Sequence, residues 1–320
     1  MRVIILNIRH QVTKLSHSHL YGGINMSLDY SVENAIEVKN LNKSYKDFSL
    51  KDVSFNVPSG QITGFIGQNG AGKSTTIRAI LNMLRRDNGD IKVFGADNLK
   101  EEFDIKENVG VVFDDIGFHP NLKAKHIDKI LKGMYKNWDS EAFFEYIKKL
   151  NLPTNKKVGQ YSRGMQMKLQ IATALSHHAK LLIMDEPTGG LDPIVRNEIL
   201  DIFMEFIQDS EHTVFLSSHI ITDLERIADN IVFIHNGKIL LSEDKESIAE
   251  RHGILKCSKE KFATVDSEDV IGYRKSSFGI EALVGDQEKC KAKYKGVLCE
   301  KTSLEEIMLF YVNNTNNSEN

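Results

Sequence analysis

The sequence predicts an α/β fold: a mixed sheet core, an antiparallel β subdomain ahead of it, a helical subdomain, and a small α+β domain at the C-terminal end. Three observations carry this. Short apolar runs alternate with helix-period segments over most of the chain, as in a parallel sheet. A glycine-rich run, Gly67-Gln68-Asn69-Gly70-Ala71-Gly72-Lys73-Ser74-Thr75, lies between the apolar run Ile62-Thr63-Gly64-Phe65-Ile66 and a helix-period segment over 75–84. A second apolar run, Leu181-Leu182-Ile183-Met184, ends in two carboxylates, Asp185 and Glu186.

In chain order, residues 36–39 and 50–55 alternate as half-buried strands. Residues 91–94 and 109–113 read as further strands. Residues 121–177 are mainly helical by period, with a break at Asn151-Leu152-Pro153. A helix is expected over 193–207 and a buried strand over 214–216. Residues 231–234 and 238–241 flank Asn236-Gly237, a strong hairpin signal. After Asp244 the character changes. A helix over 245–251 ends at Gly253, strand-like pieces follow at 270–273 and 280–284, and Ser303-Leu304-Glu305-Glu306 forms a capping box before a final helix. The expected organisation is therefore a flexible extension over 1–34, a nucleotide-binding domain over 35–242 with its helical subdomain at 115–178, an accessory domain over 243–312, and a polar, disordered tail over 313–320.

The first 25 residues have an apolar start, Val3-Ile4-Ile5-Leu6, too short for a secretory core. Gly22-Gly23 precedes Met26 at a distance that suits a ribosome-binding sequence in the gene. Two expectations stand side by side: a start at Met26, or a flexible extension.

The 320 residues carry 41 Lys+Arg against 44 Asp+Glu, a net charge of −3, so no basic surface argues for bulk nucleic-acid binding. Cys257, Cys290 and Cys299 match no metal-ligand spacing and suit a reducing compartment as ordinary thiols. No apolar run reaches the roughly 18 residues of a membrane span, so work at a membrane would need a span from another chain.

The glycine-rich run is a complete phosphate-binding loop. Its backbone N–H groups can turn inward, Lys73 can reach β- and γ-phosphates, and Ser74 can place its hydroxyl on Mg²⁺. Asp185 can hold Mg²⁺ through its water shell, and Glu186 can orient and deprotonate an attacking water. Tyr161-Ser162-Arg163-Gly164-Met165 opens a helix with a serine, a further phosphate site. Thr213-Val214-Phe215-Leu216-Ser217-Ser218-His219 ends a strand with a histidine able to contact a γ-phosphate. Gly190-Leu191-Asp192 follows the two carboxylates.

In this order the motifs resemble the nucleotide-binding subunit of the ATP-binding cassette (ABC) family over residues 35–241. The resemblance implies an ABC-type nucleotide-binding domain, an ATPase using ATP and Mg²⁺. It makes residues 67–75 the Walker A loop, with Gly67, Gln68, Asn69, Gly70, Ala71, Gly72, Lys73, Ser74 and Thr75 around the phosphates. It makes Asp185 and Glu186 the Walker B metal aspartate and catalytic base, and His219 the switch histidine. Tyr45 falls where an aromatic stacks on adenine; a plain strand residue is the other reading. Ser162, Arg163, Gly164 and Met165 resemble the signature that reads the γ-phosphate of ATP held by the opposite subunit, and Asp192 falls in the D-loop. Two motifs depart from the family pattern: in the signature Arg163 and Met165 stand where glycine and glutamine are commonest, and Asp114 stands in place of a Mg²⁺-sensing glutamine. Asp114 is expected at the metal, where its charge beside Asp185 and Glu186 would steepen the Mg²⁺ dependence of hydrolysis; a side chain turned to solvent or toward the membrane partner is the other reading.

The signature variant, with Lys136-Asn137-Trp138-Asp139 and Val111-Val112-Phe113-Asp114, is similar to the ATPases of two-component drug, bacteriocin and lipid exporters. What this implies is a peripheral subunit on the cytoplasmic face of the membrane. It would work as a homodimer or heterodimer beneath membrane permease subunits, with no nucleic acid. A soluble ABC ATPase acting on DNA or ribosomes is the alternative, and an importer subunit a third. Trp138 is expected to pack within the helical subdomain, and His177, His178, Lys148-Lys149 and Lys156-Lys157 to be solvated.

Overall fold

The computed structural model describes residues 28–115, 117–276 and 279–318. The expectations for the first 25 residues and for Met26 lie outside the described residues.

An antiparallel sheet of order β2-β1-β4-β5 is built from β1 (Asn34–Ser44), β2 (Ser49–Pro58), β4 (Asn88–Val93) and β5 (Ala96–Asp97). The central sheet has the order β10-β9-β3-β8-β7-β6. Its members are β3 (Ile62–Ile66), β6 (Val109–Val112), β7 (Leu181–Asp185), β8 (Thr213–Ser218), β9 (Asn230–His235) and β10 (Lys238–Asp244). Five of these run parallel and β10 closes the edge by a hairpin. β3, β7 and β8 are buried along their whole length, which is why each carries a run of apolar residues rather than an alternating pattern. Phe55 of β2 stacks on Phe65 and Phe215 with centroids 5.4 and 5.7 Å apart, locking the two sheets together. Helix α1 (Lys73–Ile80) follows β3, and α2 (Glu102–Glu107) precedes β6.

The helical subdomain holds α3 (Ala124–Lys132), α4 (Ser140–Lys149) and α5 (Arg163–Leu175). Asp139 caps α4 by accepting from the Ala142 N–H at 2.9 Å, and the chain leaves the helix through Asn151 at φ 55°. Trp138 packs on Phe143 and donates Nε1–H to Asp128 at 2.9 Å, as expected of a packing residue. The lysine pairs at 148–149 and 156–157 are exposed.

His177 corrects the sequence expectation. Only His178 is solvated; His177 is buried and stacks on Tyr135 with centroids 4.3 Å apart. Sequence places it just past a helix end, and only tertiary packing covers it. Burial lowers its pKa from 6.5 to about 4. In the unfolded chain the ring takes its proton near the ordinary value. Between the two values the unfolded state therefore binds more protons, and stability falls as pH drops through that window. The full loss is about 3 kcal/mol. Urea unfolding at pH 7 and pH 4.5 should show most of that loss, about 2 kcal/mol, in the wild type and a smaller one in His177→Phe.

Helices α6 (Pro193–Phe206) and α7 (Ile221–Ile227) cover the central sheet. The accessory domain begins with α8 (Lys245–Arg251). Its antiparallel sheet has the order β12-β13-β11-β14, from β11 (Gly253–Cys257), β12 (Val270–Ser276), β13 (Gly279–Val284) and β14 (Leu298–Lys301). It adds α9 (Lys259–Phe262), α10 (Gln287–Lys293) and α11 (Leu304–Ser318). The last helix continues through Ser318, past Asn313 where the polar composition predicts a disordered tail. Buried Leu304, Ile307, Met308 and Phe310 of α11 join the same core cluster as Leu224 and Ile227 of α7. The accessory domain thus braces the helix that starts two residues after His219. Phe310 is 1% exposed, so Phe310→Ala should cost about 3–5 kcal/mol in a urea unfolding experiment.

Candidate active site

The chain leaves β3 at Ile66, turns through residues 67–72 and enters α1. Gly72 sits at φ 118° as the N-cap, and a Cβ there would lie 2.7 Å from Leu50 Cδ2, so only glycine closes the turn. The first turn of α1 holds no acidic residue and no side-chain cap. Its N–H groups and positive dipole end are left to an anion. Behind the loop, the β9–β10 turn holds it in place: the Gly237 N–H donates to Ala71 O at 3.0 Å. Lys73 is buried; its Nζ donates to Gly67 O at 2.6 Å and lies 3.0 Å from Glu186 Oε1.

Glu186 adopts φ 54°, unusual for a residue with a side chain and costing about 1–3 kcal/mol, a strain found at functional sites. Two bonds hold it there: its N–H reaches Ser217 O at 3.2 Å and Ser217 Oγ at 3.0 Å. Its other carboxylate oxygen, Oε2, accepts from the His219 N–H at 3.2 Å and meets His219 Nδ1 at 2.6 Å. With Glu186 ionised, Nδ1 carries the hydrogen. Asp185 is buried, and its Oδ1 accepts from Ser217 Oγ at 2.6 Å. The structure therefore joins Lys73, Glu186 and His219 in one contact chain, with Asp185 alongside through Ser217.

Ser217 is a residue that sequence reasoning passed over. Its hydroxyl bonds both the Asp185 side chain and the Glu186 backbone. The available signal was the Ser217-Ser218 pair closing an otherwise apolar strand. Gln170 is a second: from α5 it bonds Phe113 O at 3.1 Å and accepts the Phe113 N–H at 3.4 Å, fixing the chain just before Asp114.

The remaining predicted residues lie around this chain of contacts. Tyr45 is half exposed, on a pocket of about 650 Å³ shared with Phe48, Lys51, His235 and Lys238. Ser162 is the N-cap of α5 and accepts the Met165 N–H at 3.3 Å; it makes no hydrogen bond to residues 67–75. Gly164 faces Val195 of α6, where a Cβ would lie 2.9 Å from Cγ1. Asp192 caps α6 through the Ile194 and Val195 N–H groups, both at 3.1 Å. Asp114 is exposed and its carboxylate pairs with the Arg163 guanidinium. None of its bonds reaches Ser74, Asp185 or Glu186, the residues it was expected to join at a metal. Among the described residues no cluster of three His, Cys, Asp or Glu could hold a metal. One buried carboxylate, Asp185, and a half-buried serine in the first turn of α1, Ser74, are ligand types that suit Mg²⁺, which needs few protein ligands and fills its shell with phosphate and water.

A phosphate loop whose lysine meets a carboxylate just past the end of a parallel strand two places along the sheet, with a histidine just past the strand between them, defines a nucleoside-triphosphatase. A helical subdomain with a serine-capped helix and an antiparallel β subdomain narrow it to the cassette type. The chain belongs to the ABC transporter family, and its core is that family's ATPase domain; the family description "ABC transporter" matches residues 50–189. It is 37% identical over 209 residues to the bacitracin transport ATP-binding protein BcrA of Bacillus licheniformis, covering 64% of this chain and 68% of that one. It is 34% identical to the lantibiotic transport ATP-binding protein SrtF of Streptococcus pyogenes, covering 65% of this chain and 90% of the relative. Among solved structures, CbiO1 from Clostridium perfringens, part of an ABC transporter complex, superposes with TM-score 0.59 at 25% identity over 68% of this chain and 92% of that one. A bacterial ABC transporter cassette solved as a dimer superposes with TM-score 0.59 at 25% identity over 65% of this chain and 98% of that one.

Proposed function

We propose that two copies of this chain close on ATP beneath separate membrane permease subunits and energise an exporter. The observation that carries the proposal is the Lys73–Glu186–His219 chain of contacts, which Ser162, bonded to the Met165 N–H as the cap of its own helix, does not join. A single chain then supplies one half of an ATP site at residues 67–75 and the complementary half at 162–165. Two copies arranged head to tail would complete two sites. The dimeric cassette among the structural relatives supports the pairing of two cassettes.

In this reading Lys73 and the α1 N-terminus balance charge on the β- and γ-phosphates. Glu186 orients a water and takes its proton as the oxygen attacks the γ-phosphorus, the bond from that phosphorus to the β–γ bridging oxygen breaking so that ADP leaves with the electron pair and phosphate is formed. His219 holds the carboxylate in place. Ser74 and Asp185 would hold Mg²⁺, which when bound supplies further positive charge at the phosphate oxygens. Ser162 and the α5 N-terminus meet the γ-phosphate held by the other copy.

No described helix is long and apolar enough to cross a membrane, so the proposal assigns the spans to permease chains and places this subunit on the cytoplasmic face. The bacitracin and lantibiotic relatives favour peptide antibiotics as cargo. The test is to co-purify the chain with its permease in proteoliposomes. Bacitracin or a lantibiotic should raise ATP hydrolysis several-fold and move away from the ATP-bearing side. Movement toward that side would overturn export.

A further inference from the structure

Two of the three residues at which this chain departs from the family pattern are in contact. Asp114, on the segment leaving β6, pairs with Arg163, the first residue of α5. An arginine is electrostatically out of place there, because the helix N-terminus already carries partial positive charge. α5 has no acidic residue in its own first turn, so Asp114 supplies the counter-charge from another element. Two turns along the same helix, Gln170 bonds both backbone groups of Phe113. Helix α5 therefore grips residues 113–114 at two points, one neutral and one charged. The guanidinium also lies against Gly190, in the loop that begins at Glu186. A Cβ on Gly190 would stand 3.2 Å from Arg163 Cζ, and Gly190 has φ 67°.

We propose that Asp114 and Arg163 form a positioning strut. The pair fixes the Ser162 end of α5 relative to the Glu186–Gly190 loop, so that the two complementary halves of the ATP site are held in register for closure. Asp114 acts through Arg163 rather than as a metal ligand. This rests on the dimer reading above.

The test uses full-length protein carrying Glu186→Gln, so that ATP is retained, and follows ATP-driven dimer formation by light scattering in low salt. Asp114→Asn and Arg163→Gln should each weaken dimer formation about fivefold, the scale of an exposed charge pair. Combined, they should weaken it no further than either alone, because a shared interaction can be lost only once. Asp114→Glu, which keeps the carboxylate, should behave as the parent. The Mg²⁺ concentration needed for dimer formation should respond alike to Asp114→Asn and Arg163→Gln. Additive losses, failure of Asp114→Glu to preserve dimer formation, or a Mg²⁺ requirement raised by Asp114→Asn alone would overturn the strut, the last result returning Asp114 to the metal. A parent protein that stays monomeric in ATP fails at an earlier stage: the dimer reading falls, and the strut with it.

Discussion

Glu186→Gln is expected to bind ATP and to hydrolyse it about 10²–10⁴ times more slowly than the wild type. The amide keeps the shape of the carboxylate but cannot take a proton from water. Two contacts fix the side chain: Lys73 Nζ 3.0 Å from Oε1, and His219 Nδ1 2.6 Å from Oε2. One oxygen of the amide can still accept from one of them. Its NH₂ group then faces the other donor, which weakens the contact but leaves the backbone anchors to Ser217 intact. The variant should therefore fold as the wild type and accumulate with ATP bound. Phosphate release and equilibrium dialysis with ATP measure the two quantities. Hydrolysis at the wild-type rate would remove Glu186 as the base.

Lys73→Ala is expected to lose ATP affinity by about 30- to 5,000-fold, the range for truncating one member of a buried, hydrogen-bonded charge pair. The buried ammonium is held by Gly67 O and faces Glu186. Its removal takes the positive charge from the phosphate site and leaves Glu186 without its cation. Lys73→Arg should not restore binding, because a planar guanidinium is wider than the compact ammonium in a loop closed at Gly72 against Leu50. Binding of a fluorescent ATP analogue reads the loss. Affinity within twofold of the wild type would contradict the role.

The parts of this molecule that were legible in the sequence are those encoded by neighbouring residues. The phosphate loop is contiguous, β7 delivers Asp185 and Glu186 as an apolar run with a charged end, and Asn236-Gly237 sits between β9 and β10. The capping box at Ser303 opens α11 with the Glu306 N–H on Ser303 Oγ at 3.2 Å. What escaped depends on distant segments meeting. Ser217 reaches Asp185 from 32 residues away, and Gln170 reaches Phe113 from 57. Arg163 and Asp114 each stood out as departures from a pattern, yet nothing local announced that they pair across 49 residues. His177 looked like a solvated residue past a helix because the Tyr135 ring that covers it belongs to another segment. The helical character of α11 beyond Asn313 likewise runs against an asparagine-rich composition that local preference reads as tail.

Whether each ATP site is shared between two copies can be read by mixing two inactive chains. One carries Lys73→Ala and keeps Ser162; the other carries Ser162→Arg and keeps Lys73. Alone, each forms only damaged sites. Mixed, they should form one intact site per mixed dimer, with Lys73 from one copy facing Ser162 from the other, and hydrolysis should reappear at about a quarter of the wild-type rate if mixing is random and sites act independently. A mixture as inactive as its two components, with mixed dimers demonstrated by differential tagging, would contradict the shared site.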